Sequence, residues 1–161
     1  MLKRFIVLIP FFFTLFGSVQ AQEDDCQRLT NRLVRYAKSY LGTPYEWGAD
    51  GPEQFDCSGF VHYVYAHFDI DIPRNSRLLS ESGVRRNFKD IRRGDLVFFL
   101  SGDLPERDIS HVGIAITDYE NGNFRFVHAS RGSGCVTINE YNEDFYRKNY
   151  GGARQVIPCS R

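Results

Sequence analysis

The sequence predicts an α+β fold, with helices packed on one side of an antiparallel sheet. Three observations carry this. Apolar residues recur at helical spacing in the first half, over 29–41 and again after Cys57. Apolar runs of strand length fill the second half, at 96–100, 111–116 and 124–129. Asn121-Gly122, between the last two runs, is a strong hairpin signal.

Taken in order, the chain opens on what reads as an export leader. Lys3 and Arg4 precede an apolar run from Phe5 to Phe16, broken by Pro10 and Thr14, and Val19-Gln20-Ala21 fits the small-x-small cleavage rule. The run is short against the ~20 residues of a membrane span. Cleavage after Ala21 is therefore expected, with no stable membrane span after removal. Glu23-Asp24-Asp25 occupy the place where lipidation of Cys26 needs small apolar residues, so lipidation is rejected. Residues 1–21 are then a signal peptide and 22–161 a single domain, long enough for its own core. The product is expected in the periplasm or outside the cell, as a monomer. Twenty Lys and Arg balance twenty Asp and Glu, which leaves no basic excess to hold nucleic acid.

Residues 22–28 are polar and read as loose. A helix over 29–41 carries Leu29, Leu33, Val34, Ala37, Tyr40 and Leu41 on one stripe, and Gly42-Thr43-Pro44 stops it. The loop from Tyr45 to Phe55 is rich in glycine and rings, a composition that suits a binding wall; Trp47 is read as covering the core edge. Asp56 caps a helix from Cys57 to about Phe68. Pro73-Arg74-Asn75-Ser76 is a turn, followed by a short helix over 76–82. Ile91 to Asp95 turn into the 96–100 strand, and a polar loop over 101–110 leads to the hairpin. Weaker strands are expected at 135–138 and 153–157, with one helical turn inside 141–150.

Four cysteines in an oxidising compartment invite a disulfide. If Cys57 is a working thiol, Cys26, Cys135 and Cys159 remain, an odd number. Cys26 and Cys159 lie near the two ends and are expected to pair; Cys135 with Cys159 is the competing choice.

Cys57 falls in the first turn of its helix, near the positive end of the dipole, which biases a thiol toward thiolate. Ser58-Gly59 is small enough to let another chain come close. His111 opens one arm of the hairpin and His128 sits near the end of the other, so the two imidazoles can be neighbours. Thiol nucleophile, imidazole base and a polar group that orients the base make up a complete acyl-transfer set. Backbone N–H groups at the head of the helix, including that of Cys57, would hold the oxyanion. The same three ligand types could hold zinc, but no Cys-x-x-Cys or His-x-x-x-His pairing supports it. His62 and His67 lie off the apolar stripe and receive no role.

Read together, Asp56-Cys57-Ser58-Gly59-Phe60-Val61, Gly94-Asp95-Leu96-Val97-Phe98-Phe99, His111-Val112-Gly113-Ile114 and His128-Ala129-Ser130 resemble the NlpC-type cell-wall cysteine peptidases. Gly42-Thr43-Pro44-Tyr45-Glu46-Trp47-Gly48 and Pro73-Arg74-Asn75-Ser76 match too, and the resemblance covers roughly 36–157. It implies a papain-like fold and hydrolysis of peptidoglycan stem peptides or muropeptides, usually at the γ-D-glutamyl–diamino acid bond, with no metal or organic cofactor. It assigns Cys57 as nucleophile, His111 as base and His128 as the third polar residue. Tyr45, Asp56 and Ser58 match positions that contact a free amino terminus in some members. Ala49 replaces a glycine common in the family, and Leu78-Leu79-Ser80 stands where a glutamine is frequent. Rival readings are an amidase or acyltransferase using the same thiol, or a wall-peptide binding protein that does not cut.

Overall fold

The structure, a computed structural model, describes residues 14–101 and 107–159, with side chains from Ala21 onward. Most of the expected leader, the apolar run from Phe5, lies outside the described residues. Among the described residues no helix is long and apolar enough to cross a membrane.

Helix α1 runs Thr14–Lys38. The polar 22–28 stretch is thus helical, not loose. Its Gln and Glu residues are good helix formers, and the buried stripe of the helix reaches into it, with Cys26, Thr30, Leu33, Val34 and Ala37 at three- and four-residue spacing. Helix α2, Cys57–Ala66, starts on the expected cap: Asp56 accepts from the backbone N–H of Gly59 at 2.7 Å. Phe60, Val61, Val64 and Tyr65 are wholly buried, and the Tyr65 hydroxyl donates to the Gly94 carbonyl at 2.7 Å, fixing the helix to the turn before the sheet. Helix α3 is Ser76–Glu81, capped by Asn75.

Among the described residues six strands follow: β1 Val84–Arg86, β2 Leu96–Leu100, β3 Ile109–Ala115, β4 Arg125–Ser130, β5 Cys135–Glu140 and β6 Tyr150–Gln155, with α4 Asp144–Lys148 between the last two. The paired strands are antiparallel, in the order β1-β6-β2-β3-β4-β5. The predicted α+β class holds. Strand β1 was not foreseen: its three residues are exposed or half-buried and carry no alternation to read. Asn121 and Gly122 both take positive φ, 51° and 84°, as a primed hairpin turn requires.

The alternation along β2 splits the core in two. Leu96 and Phe98 face α1 and α2 with Val112, Ile114, Val127 and Ala129, while Val97 and Phe99 face a smaller aromatic cluster with Phe126, Phe124 and Tyr146. The chain ends are tied by a disulfide between Cys26 and Cys159, the expected pair; Cys57 and Cys135 are free thiols.

Candidate active site

Three features of the sheet open a cleft beside the head of α2. Strands β3 and β4 pair only at Ile114↔Val127 and Ala115↔Phe126, so they part toward His111 and His128. Register shifts on either side of Phe99 bend β2 at the same level. Gly113 allows the close approach that remains, since a Cβ there would meet the Phe126 ring at 2.8 Å. The resulting cleft holds about 870 Å³ and is lined by Cys57, His111, His128, Tyr45 and Trp47, with Arg131, Glu143 and Phe145 among its other walls.

Cys57 is 7% exposed, and its sulfur lies 4.0 Å from the carbonyl oxygen of Ser110, the residue before His111. His111 Nε2 is 2.6 Å from His128 Nδ1, and His128 Nε2 is 2.9 Å from Asn139 Oδ1. Asn139 Nδ2 donates to both oxygens of Glu143, at 3.0 and 2.8 Å. The histidines stand on the aromatic face of the sheet, against Phe99 and Phe126. The three residues singled out as nucleophile, base and orienter therefore meet in one cleft.

The electrostatics differ from the expected thiolate. Burial first, and then the adjacent Asp56 carboxylate, push the Cys57 thiol up; backbone N–H groups of Val112, Ser58 and Cys57 itself work the other way without winning. Burial, helped by the neighbouring imidazole, pulls His111 down to about 3. Burial pulls His128 down to about 4, opposed by Asn139 and Glu143. At neutral pH the resting pair is a thiol and a neutral imidazole. The helix-end attraction is real but worth only about 0.3–2 kcal/mol, less than desolvation takes from a buried charge.

Of the three residues matched to substrate contacts, Tyr45 lines the cleft, while Asp56 and Ser58 are buried off its lining. Asp56 is fully engaged. It accepts from Gly59 and Gly48 backbone N–H groups and from Arg74 at 2.9 and 3.0 Å. Ser58 accepts from Arg74 at 2.9 Å and donates to Asp56. Arg74 also donates to the Ala49 carbonyl at 2.9 Å. Trp47, expected to cover the core edge, is 77% exposed. Phe55 takes the core position instead, wholly buried and bridged to Tyr45 and Asp50. His67 stacks on Tyr36 with ring centroids 3.8 Å apart. Asn139, Glu143 and Tyr146 carry no motif of their own. The signal for Asn139 was its place on the strand beside His128, visible only once the β4–β5 register is known.

Residues 42–155 match the NlpC/P60 family. A γ-D-glutamyl-L-lysine dipeptidyl-peptidase of Bacillus cereus is 34% identical over 139 residues, 86% of this chain and 40% of that protein. A murein DD-endopeptidase MepS/murein LD-carboxypeptidase of Escherichia coli is 34% identical over 151 residues, 89% of this chain and 75% of that one. This chain thus spans less than half the length of the first and most of the second. Among solved structures, an NlpC/P60 family protein from Bacillus cereus superposes with a TM-score of 0.71 at 35% identity, covering 80% of this chain and 40% of the other. The NlpC/p60 domain of the peptidoglycan hydrolase SagA gives 0.63 at 28% identity, covering 78% and 97%.

Proposed function

The chain belongs to the NlpC/P60 family, and on that premise we propose that it is a cysteine endopeptidase of the cell wall, cleaving peptidoglycan stem peptides at the γ-D-glutamyl–diamino acid bond. One observation carries the reading: Cys57, His111 and His128 share one open cleft, with His111 Nε2 2.6 Å from His128 Nδ1. Cys57 Sγ attacks the γ-carbonyl carbon while its proton passes to Nδ1 of His111, the ring nitrogen that makes no hydrogen bond among the described residues. Because the resting pair is neutral, proton transfer and attack occur together. Backbone N–H groups at the start of α2 hold the oxyanion. His111 then protonates the departing amine, and water releases the acyl group from sulfur with His111 again as base. This sequence of steps calls for no metal or cofactor.

Tyr45 meets the substrate from the cleft wall, while Asp56 and Ser58 act from behind it by fixing the loop that presents Tyr45. Residues 1–21 are removed on export, after Ala21, and 22–161 work as one catalytic domain, a monomer in the periplasm or outside the cell. The relatives' names point to more than one bond of the wall peptide, so the products decide. Defined muropeptides incubated with the protein and resolved by mass spectrometry should show a cut between D-glutamate and the diamino acid, and Cys57→Ala should abolish it with the fold retained. Turnover by Cys57→Ala, or cutting elsewhere only, would overturn the assignment.

A further inference from the structure

Building on the reading of Cys57 and His111 as nucleophile and base, we propose that Asn139 and Glu143 are a positioning pair that sets which nitrogen of each imidazole carries its proton. A carboxylate only accepts hydrogen bonds. Both Glu143 oxygens face Asn139 Nδ2, at 3.0 and 2.8 Å, so that atom is the amide NH₂ and the atom facing His128 is the carbonyl oxygen. His128 Nε2 must then donate. His128 is neutral at physiological pH, held down to about 4 by burial, so its Nδ1 is a lone pair and accepts from His111 Nε2. That leaves Nδ1 of His111 as the lone pair that takes the thiol proton. One amide orientation, set by a carboxylate, propagates through two rings to the base.

The local structure is built for this. Thr137 is the cross-strand partner of His128, and Asn139 lies two residues further along β5, on the same face and diagonal to the imidazole. Glu143 is held by more than the amide: its Oε1 accepts from the backbone N–H of Glu140 at 2.8 Å, pinning the carboxylate in the turn before α4. The other groups facing the two rings cannot set the tautomer. The Tyr146 hydroxyl of α4, 3.4 Å from His128 Nε2, donates or accepts equally well. Phe126 and Phe99 offer ring faces. Cys57 of α2 lies at the far end of the relay. Glu143 is the one carboxylate among the described residues that acts on His128, and it favours the imidazolium.

Imidazole ¹⁵N NMR of the substrate-free protein, together with steady-state kinetics, tests the proposal. The wild type should show His111 and His128 as Nε2–H tautomers. Asn139→Leu should give mixed tautomers and lower kcat by roughly tenfold to hundredfold at unchanged KM, a fraction of the ~10⁴ that a wrong tautomer costs a histidine base. Glu143→Gln changes an exposed side chain, where folding is not at stake; it frees the amide to turn over and should mix the tautomers as well. Asn139→Asp/Glu143→Gln restores the polarity, with carboxylate to His128 and amide to carboxylate, and should recover kcat above Asn139→Leu. Unmixed tautomers with wild-type kcat in both single variants would overturn the proposal, as would a double variant no faster than Asn139→Leu. The NMR readout needs no substrate, so the expected tautomers in a protein that cuts no muropeptide would count against the functional reading alone.

Discussion

Cys57 is held between a helix end that favours its anion and a buried, acid-flanked setting that opposes it. The second wins, and the consequence is measurable. Alkylation by iodoacetamide in the substrate-free protein should rise with a midpoint above the ~8.5 of an ordinary cysteine; a plateau reached well below that value would show a preformed thiolate–imidazolium pair. The histidines carry the matching consequence for stability. Both fold as neutral rings, with pKa values pulled from 6.5 to about 3 and about 4. Below pH 6.5 the unfolded chain therefore binds more protons than the folded one. Stability is present above that pH and is lost as pH falls toward 4. For His128, 1% exposed, the loss between pH 7 and 4.5 is about 2–3 kcal/mol by linkage. Urea titrations at the two pH values check it: His128→Gln should shrink the difference by about that amount, whatever its effect at pH 7, leaving the share that His111 contributes. At this scale the sequence was legible where chemistry is rare. A cysteine on a capped helix and two histidines on a hairpin are unusual enough to stand out. Asn139 and Glu143 are ordinary surface types that only the fold brings to His128, and the Pro73-Arg74-Asn75-Ser76 block did not tell that its arginine reaches Asp56.

The element that sets the cleft wall is the head of α2, clamped from three directions. Arg74, from the turn before α3, reaches Asp56, Ser58 and the Ala49 carbonyl at once. Gly59 makes room for that reach: a Cβ there would stand 2.2 Å from the Ala49 carbonyl oxygen and 2.6 Å from Arg74 Nη2. The small pair after Cys57 thus admits this chain's own loop and guanidinium. Gly59→Ala should cost about 1–3 kcal/mol, as overpacking does, and should raise KM by loosening the loop that carries Tyr45. Gly132→Ala, with only Ser130 Oγ near at 3.8 Å and no positive φ, is the control for stability and should leave thermal unfolding unchanged. The Asp56 cap, the α2 stripe and the hairpin turn were all readable, because capping, periodicity and positive φ act locally. The start of α1 was not. Over 21–29 the side chains bury little besides Cys26, so nothing in the local pattern separates a solvated helix from a loop.

At the scale of the whole molecule, α1 completes the core that α2 forms with one face of the sheet. It packs on α2 through Leu33, Val34 and Ala37 and is fastened to the C-terminal segment by Cys26–Cys159. That bond lies away from the catalytic cleft: Cys26 lines a second, polar cleft of about 550 Å³ with Asn31, Arg93 and Asp118. Neither cysteine lines the catalytic cleft, so the disulfide should act on stability and not on chemistry. It spans 133 residues of sequence, nearly the whole of 22–161, and restricts the unfolded chain accordingly. Its loss should cost about 2–5 kcal/mol. Cys26→Ser/Cys159→Ser is the variant to make, because reductant would leave the free thiols in place and could not separate their effects from the bond's. It should unfold at a lower temperature by calorimetry while kcat and KM at 25 °C stay at wild-type values. A drop in kcat without a drop in unfolding temperature would mean that α1 positions the head of α2 through the core the two helices share.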